Sequence, residues 1–343
     1  MAQHFSLDQS QYRTRWARFR KQKLAVISLF IFIIIFVLSL GAPLIANDKP
    51  LLVSYQNSLY SPIIHNYPET TFGGVFETSA DYQDPAVQAM INKHGYIISA
   101  PLPYGEYSLV LDADTPHPSA PSMSHPLGTD DVGRDVLARI LYALRVSLLF
   151  GIGLSVIGSM IGVLVGAVMG YFGGVADLLG QRLLEIWIGL PQLFVLIILA
   201  SIFVPSTQVL FLLLLSFGWL TLVPMTRVHF MKMRREGYVT AAQNLGIHPV
   251  RIMLRHILPS TILLVLSQLP FVMVMNISAL TTLDFLGLGL PVGTASLGEL
   301  LAQGKNHLDA PHLVLSGFVV LAVVLSLLIF IGEGLRNAFD IKH

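Results

Sequence analysis

Apolar residues in this chain come in long unbroken runs, not in alternating or one-faced patterns. Six runs approach the roughly 20 residues that a membrane-crossing helix needs. They fall at residues 24–46, 144–169, 183–203, 209–225, 261–283 and 313–331. The runs predict an all-α polytopic membrane protein of six transmembrane helices. Pro191 predicts a kink in the third run. Gly158, Gly162, Gly166 and Gly170 recur every fourth residue of the second. On a helix they share one face, where a second helix can approach closely.

Polar stretches separate the runs. Residues 47–141 contain no run that could cross a membrane, yet Phe72, Val75, Phe76, Tyr96, Ile97 and Ile98 lie within them. That mixture predicts a small folded insert of short strands, one of them at residues 107–112. Residues 171–182 and 204–208 read as turns, and residues 284–312 as a connecting stretch. Residues 227–259 read as a loop holding two short helices, broken at Gly246. Pro249 suits the first turn of the second, and Pro259 its end.

Composition agrees with the pattern. Of 343 residues, 54% are hydrophobic and 12% charged, against about 25% charged in a soluble domain. The net charge of +1 hides a segregation. Six Lys or Arg lie between Arg13 and Lys23, and the 227–259 loop carries Arg227, Lys232, Arg234, Arg235, Arg251 and Arg255 against Glu236. Between residues 46 and 140 there are eleven acids and four bases. Basic clusters mark the cytoplasmic side of a membrane protein. The chain therefore divides into a cytoplasmic N-terminus (1–23), a first span (24–46) that exceeds a signal peptide's apolar region, an insert on the outside face (47–141), which the resemblance given below makes periplasmic, a five-helix core (142–335) and a cytoplasmic C-terminus (336–343). Both termini are expected inside. The absence of cysteine excludes disulfides and thiolate chemistry.

Little in the chain suggests enzymatic chemistry. GELLAQGKN at 298–306 fails as a phosphate loop: five residues separate Gly298 from Gly304, and Asn306 stands where Ser or Thr would hold magnesium. The histidines are scattered and no metal site is expected. In GTDDVGRD (128–135), Arg134 is expected to pair with a neighbouring acid in a structural turn. The basic stretches follow topology, so nucleic acid is not an expected partner. Gln192, Gln268, Asn276 and Ser278 are the polar candidates for lining a pathway, with interhelical hydrogen bonding as the alternative. No Asp, Glu, Lys or Arg lies centrally in a run, unlike a secondary transporter, whose coupling groups lie near mid-membrane. Such a transporter or channel without ATPase coupling stays open as the second reading, and a membrane-anchored structural protein or receptor as the third.

Residues 237–260 resemble the coupling loop of ABC importer permeases, whose pattern is E-A-A, three residues, G, nine residues, I-x-L-P. Ala241, Ala242, Gly246, Leu258 and Pro259 match; Thr240 and His256 stand where glutamate and isoleucine are usual. HPLGTDDVGRDVLARILYALRVSL (125–148), TTLDFLGLGLP (281–291) and SLGELL (296–301) resemble the dipeptide and oligopeptide importer branch. IANDKPLLVSYQ, FGG and YQDP in the insert are most similar to the Yej-type peptide and microcin C importer permeases.

The resemblance implies the type I ABC importer fold, also called MetI-like, in a bacterial inner membrane. It implies a second, homologous permease subunit, cytoplasmic ATPase domains that bind ATP and magnesium, a periplasmic solute-binding protein, a peptide substrate and surrounding lipid. This subunit would bind no cofactor and hydrolyse nothing. Thr240, Ala241, Ala242, Leu245 and Gly246 would form the part that docks on an ATPase, with both alanines exposed, and His256, Leu258 and Pro259 would complete the motif. The insert would help receive the binding protein.

Overall fold

The computed structural model describes residues 16–110, 116–203 and 206–339. The expectations for residues 1–15, for 111–112 of the expected strand, for 204–205 of the expected turn and for the final residues 340–343 lie outside these. A bilayer offers the backbone no hydrogen-bonding partners, so apolar runs of this length close their bonds internally as helices.

In chain order, α1 (Lys23–Leu40) is followed by a single turn at Ala42–Ile45. The insert holds β1 (Leu52–Tyr55), β2 (Ser58–Tyr60), α2 (Pro85–His94) and β3 (Gly95–Ile98). Then come α3 (Val136–Phe172), α4 (Gly174–Gly189), α5 (Gln192–Ile202), α6 (Thr207–Met233), α7 (Gly237–Asn244), α8 (Pro249–Phe285), α9 (Leu297–Asn306) and α10 (Pro311–Phe339). Among the described residues α1, α3, α6, α8 and α10 each have the length and apolar character of a span, and α4 and α5 together form a sixth, bent by 75°.

The glycine stripe settles how α4 and α5 must run. A Cβ built at Gly158 meets the Gly218 backbone, at Gly162 Trp219, at Gly166 Val223, and at Gly170 Arg227. Numbers rise together on both helices, so α3 and α6 are parallel. A chain that leaves one end of α3 and enters α6 at the opposite end must cross back between them, and α4 with α5 is that return.

Several boundaries differ from expectation. α3 has 37 residues, about 55 Å at 1.5 Å per residue, and begins two turns before the apolar run. Residues 174–182 are helical instead of a turn, because Gly173 and Gly174, at φ +65° and +53°, complete the reversal by themselves. The kink at Pro191 is a full break after Gly189. Glu185 lies within α4 and pairs with Arg182 at 2.6 Å. Pro259 does not end a helix: a π-turn at Met253–Ile257 accommodates its missing N–H, and α8 runs through it. The connecting stretch 284–312 contains α9, capped by Ser296, whose hydroxyl accepts from the Glu299 N–H.

Two apolar cores share α3. Phe150 and Leu154 pack with Leu196, Leu214 and Leu280 on α5, α6 and α8. Leu144 and Leu148 pack with Ile277, Leu300 and Leu328 on α8, α9 and α10. The insert has its own core. Its antiparallel sheet runs β2-β1-β3, with Val53 opposite Tyr60 and Ile97. Tyr55, Tyr60, Tyr67 and Tyr82 meet the buried ring of Phe72 edge-on. The other face presents Leu52, Leu59, Tyr96 and Ile98 to solvent. The strand expected at 107–112 is absent from its described part. Leu109 forms one bridge, with Arg134, and the Val110 N–H donates to the Gly133 carbonyl at 2.7 Å, so these residues pin the insert to the loop before α3.

Candidate coupling surface

α7 begins after Glu236 and ends at a glycine. The Gly246 N–H donates to the Gln243 carbonyl at 2.9 Å and the Ile247 N–H to the Ala242 carbonyl at 3.2 Å. Gly246 sits at φ +73° with open space around its α-carbon. Those two bonds and the left-handed residue form a Schellman cap. The glycine is required for its backbone conformation, not for close packing.

The helix has two distinct faces. Val239 and Ala242 are buried with Ala167 and Tyr171 of α3, Phe230 of α6, and Ile252 and Ile257 of α8. Tyr238, Ala241 and Leu245 fall at i, i+3 and i+7 on the opposite side, and Leu245 is 80% exposed. Val250 and Leu254 at the start of α8 are exposed as well. The sequence expectation that both alanines are exposed is thus corrected. Ala241 faces out, while Ala242 is the small residue that lets α7 lie against α3.

Polar contacts brace the same region. Arg227 of α6 makes a two-pronged ion pair with Asp177 of α4, its Nη2 2.7 Å from Oδ2. Arg234 donates to the Tyr171 carbonyl at 3.0 Å. Thr240 donates its hydroxyl to the Gly237 carbonyl at 3.0 Å, so it offers no charge outward. Burial pushes the Tyr238 phenol above its ordinary value, and Glu236 adds to the shift. His256, Leu258 and Pro259 are half-buried around the π-turn. Val239 and Ala242 thus join α7 to α3, α6 and α8 in one packed cluster.

Residues 162–342 match the family described as Binding-protein-dependent transport system inner membrane component. An inner membrane ABC transporter permease protein, YejE of Escherichia coli, is 49% identical over 96% of each chain. The chain belongs to this permease family. Residues 10–67 also match the N-terminal TM domain of oligopeptide transport permease C. A peptidoglycan transport system permease protein YejE from Agrobacterium fabrum is 42% identical, over 96% of this chain and 92% of its own. A dipeptide transport system permease protein DppC from Haemophilus influenzae is 34% identical, over 63% of this chain and 74% of its own.

Within this permease the four polar pathway candidates do not behave alike. The Asn276 amide donates to Ser155 Oγ at 2.8 Å, buried between α8 and α3. Gln192 is exposed at the start of α5, just past the break. Ser278 is half-buried, and its carbonyl accepts from the Thr282 hydroxyl. Gln268 lines a cleft with His229, Ser260 and Arg336.

A buried charge cluster at the other end of the bundle extends well beyond the pairing expected of Arg134. Asp130 accepts from Arg134 Nε at 2.7 Å and lies 3.4 Å from Arg139 Nε. Both guanidiniums reach Glu299 of α9. Arg139 also donates to the carbonyls of Glu106 in the insert and Gly293. Asp135 caps α3 through the Ala138 N–H and holds His125 at 2.8 Å. Burial raises the Glu299 carboxyl above its ordinary value although both arginines oppose the shift. The insert, the start of α3 and α9 are thereby clasped together. Sequence spacing shows the acid beside Arg134 but not Glu299, 160 residues beyond Arg139.

Proposed function

We propose that this chain is a membrane permease subunit of an ATP-driven importer of peptides. The observation that carries the reading is the outward apolar face of α7, with Leu245 exposed and the opposite face locked to three spans. Tyr238, Ala241 and Leu245 share one face of a helix carried on a basic loop, and a socket on an ATPase suits that face. Closure of the ATPases on ATP and magnesium then turns α7, and the shared cluster passes the motion to α3, α6 and α8. The chain itself contributes no catalytic group.

A second homologous permease completes the channel in this reading. The basic 227–259 loop and both termini face the cytoplasm. The insert faces the periplasm, and its apolar sheet face of Leu52, Leu59, Tyr96 and Ile98 receives a solute-binding protein. Peptide as the substrate class is supported by the names of the relatives, which are dipeptide, oligopeptide and peptidoglycan permeases. Microcin C-like peptides are the finer proposal.

The test is peptide uptake by the reconstituted assembly in proteoliposomes with ATP inside. Burying a leucine is worth about 1.5–3 kcal/mol, so Leu245→Asp should weaken ATPase docking at least tenfold and lower uptake accordingly while the chain still inserts. Uptake that persists without ATP would instead favour a secondary transporter or channel.

A further inference from the structure

Two adjoining clefts open between α6, α8 and α10 near the ends of α6 and α10. The first, about 380 Å³, is polar on one side, where His229, Ser260, Ser267, Gln268 and Arg336 line it. The second, about 480 Å³, shares Met225, His229 and Leu264 with the first and adds Pro224, Val228 and Lys232. His229 Nε2 and Ser260 Oγ are 3.0 Å apart. Neither Lys232 nor Arg336 has an ion-pair partner among the described residues. Arg336 thus borders the first cleft and Lys232 the second, with His229 common to both, and the extension along α6 is walled largely by apolar side chains.

The walls decide between occupants. A peptide lying in the second cleft would leave its backbone N–H and carbonyl groups without partners. An acyl chain has no such groups. Lys232 lies in the last turn of α6 and Arg336 in the last turn of α10, at the level where a span meets lipid headgroups. Basic pockets between transmembrane helices hold anionic headgroups. We propose that these clefts bind one anionic phospholipid, its phosphate against Arg336, Lys232 and His229 and an acyl chain along Pro224, Val228 and Leu264. The inference needs only that the bundle spans a bilayer, and it is independent of peptide import.

Native mass spectrometry tests it on the full chain, purified from membranes in mild detergent with the subunits that accompany it. After delipidation, phosphatidylglycerol should bind at one tight site per chain, and phosphatidylcholine should not. Each cation near a headgroup contributes about fivefold to affinity. Lys232→Gln with Arg336→Gln should therefore weaken that site about thirtyfold in an assembly of unchanged mass. Arg251→Gln, at the exposed start of α8, should leave it unchanged. Equal retention of phosphatidylglycerol by the double variant overturns the proposal, as does equal binding of phosphatidylcholine. Displacement by inorganic phosphate alone would make the ligand a free anion, and displacement by a transported peptide would make the cleft part of the pathway; either overturns the lipid. Because the readout is bound lipid and not uptake, its failure leaves the import reading standing, and loss of ATP-dependent uptake leaves this one standing.

Discussion

Gly162→Ala, compared with Gly158→Ala, tests whether the glycine stripe is a contact between backbones. An alanine Cβ at 162 would lie 2.5 Å from the Trp219 carbonyl oxygen, and one at 158 would lie 3.3 Å from the Gly218 backbone. The neighbour in each case is main chain, so no side chain can rotate away. At 158 a shift of a few tenths of an ångström relieves the contact. At 162 the helices must part by nearly 1 Å, and dispersion along the whole seam weakens with them. Overpacking of this kind costs roughly 1–3 kcal/mol, against a gain of about 0.8–1 kcal/mol from replacing helical glycine by alanine. Gly158→Ala should therefore be nearly neutral, and Gly162→Ala a net loss of up to about 2 kcal/mol. Thermal unfolding of the detergent-solubilised protein is the assay, with Gly162→Ala several degrees below Gly158→Ala. Equal midpoints, or the reverse order, would refute parallel close packing of α3 on α6.

Other substitutions address the remaining sites. Gly246→Val should cost about 1–2 kcal/mol in local backbone strain, because φ +73° suits a β-branched residue poorly; the protein should insert normally but hydrolyse ATP without matching uptake, and full uptake would remove the cap from the coupling argument. Arg139→Met leaves Asp130 and Glu299 short of a buried partner and should destabilise the clasp by roughly 3–5 kcal/mol, read as a lowered unfolding midpoint and faster proteolysis around residue 106. Asn276→Leu should lower stability by only about 0.6–1.7 kcal/mol and leave the spectrum of transported peptides unchanged; an altered spectrum would return Asn276 to the pathway. Phe72→Ala should cost about 3–5 kcal/mol and expose the insert to protease while the spans stay protected.

The long apolar runs determined the class and the number of crossings, because a lipid-embedded backbone of that length has helix as its available form. The glycine spacing determined which face of α3 meets a neighbour, since a period of four is itself helical geometry. Gly246 was legible as a stop for the same local reason: a left-handed cap involves only nearby residues. What the neighbour was, the sequence could not say. Gly162 meets Trp219 only because α4 and α5 return the chain across the bundle, and nothing local encodes that pairing. Ala241 and Ala242 are the same residue type in adjacent positions, yet one faces water and the other Tyr171. A rotation of about 100° per residue separates them, and only the position of α3 chooses the buried side. Arg139 and Glu299 read as unrelated charges until α9 folds back beside the start of α3. The sequence by itself determined periodicity and caps, which depend on residues within a few positions. The tertiary structure decided which faces are covered and which distant charges meet, because these depend on the arrangement of all the helices at once.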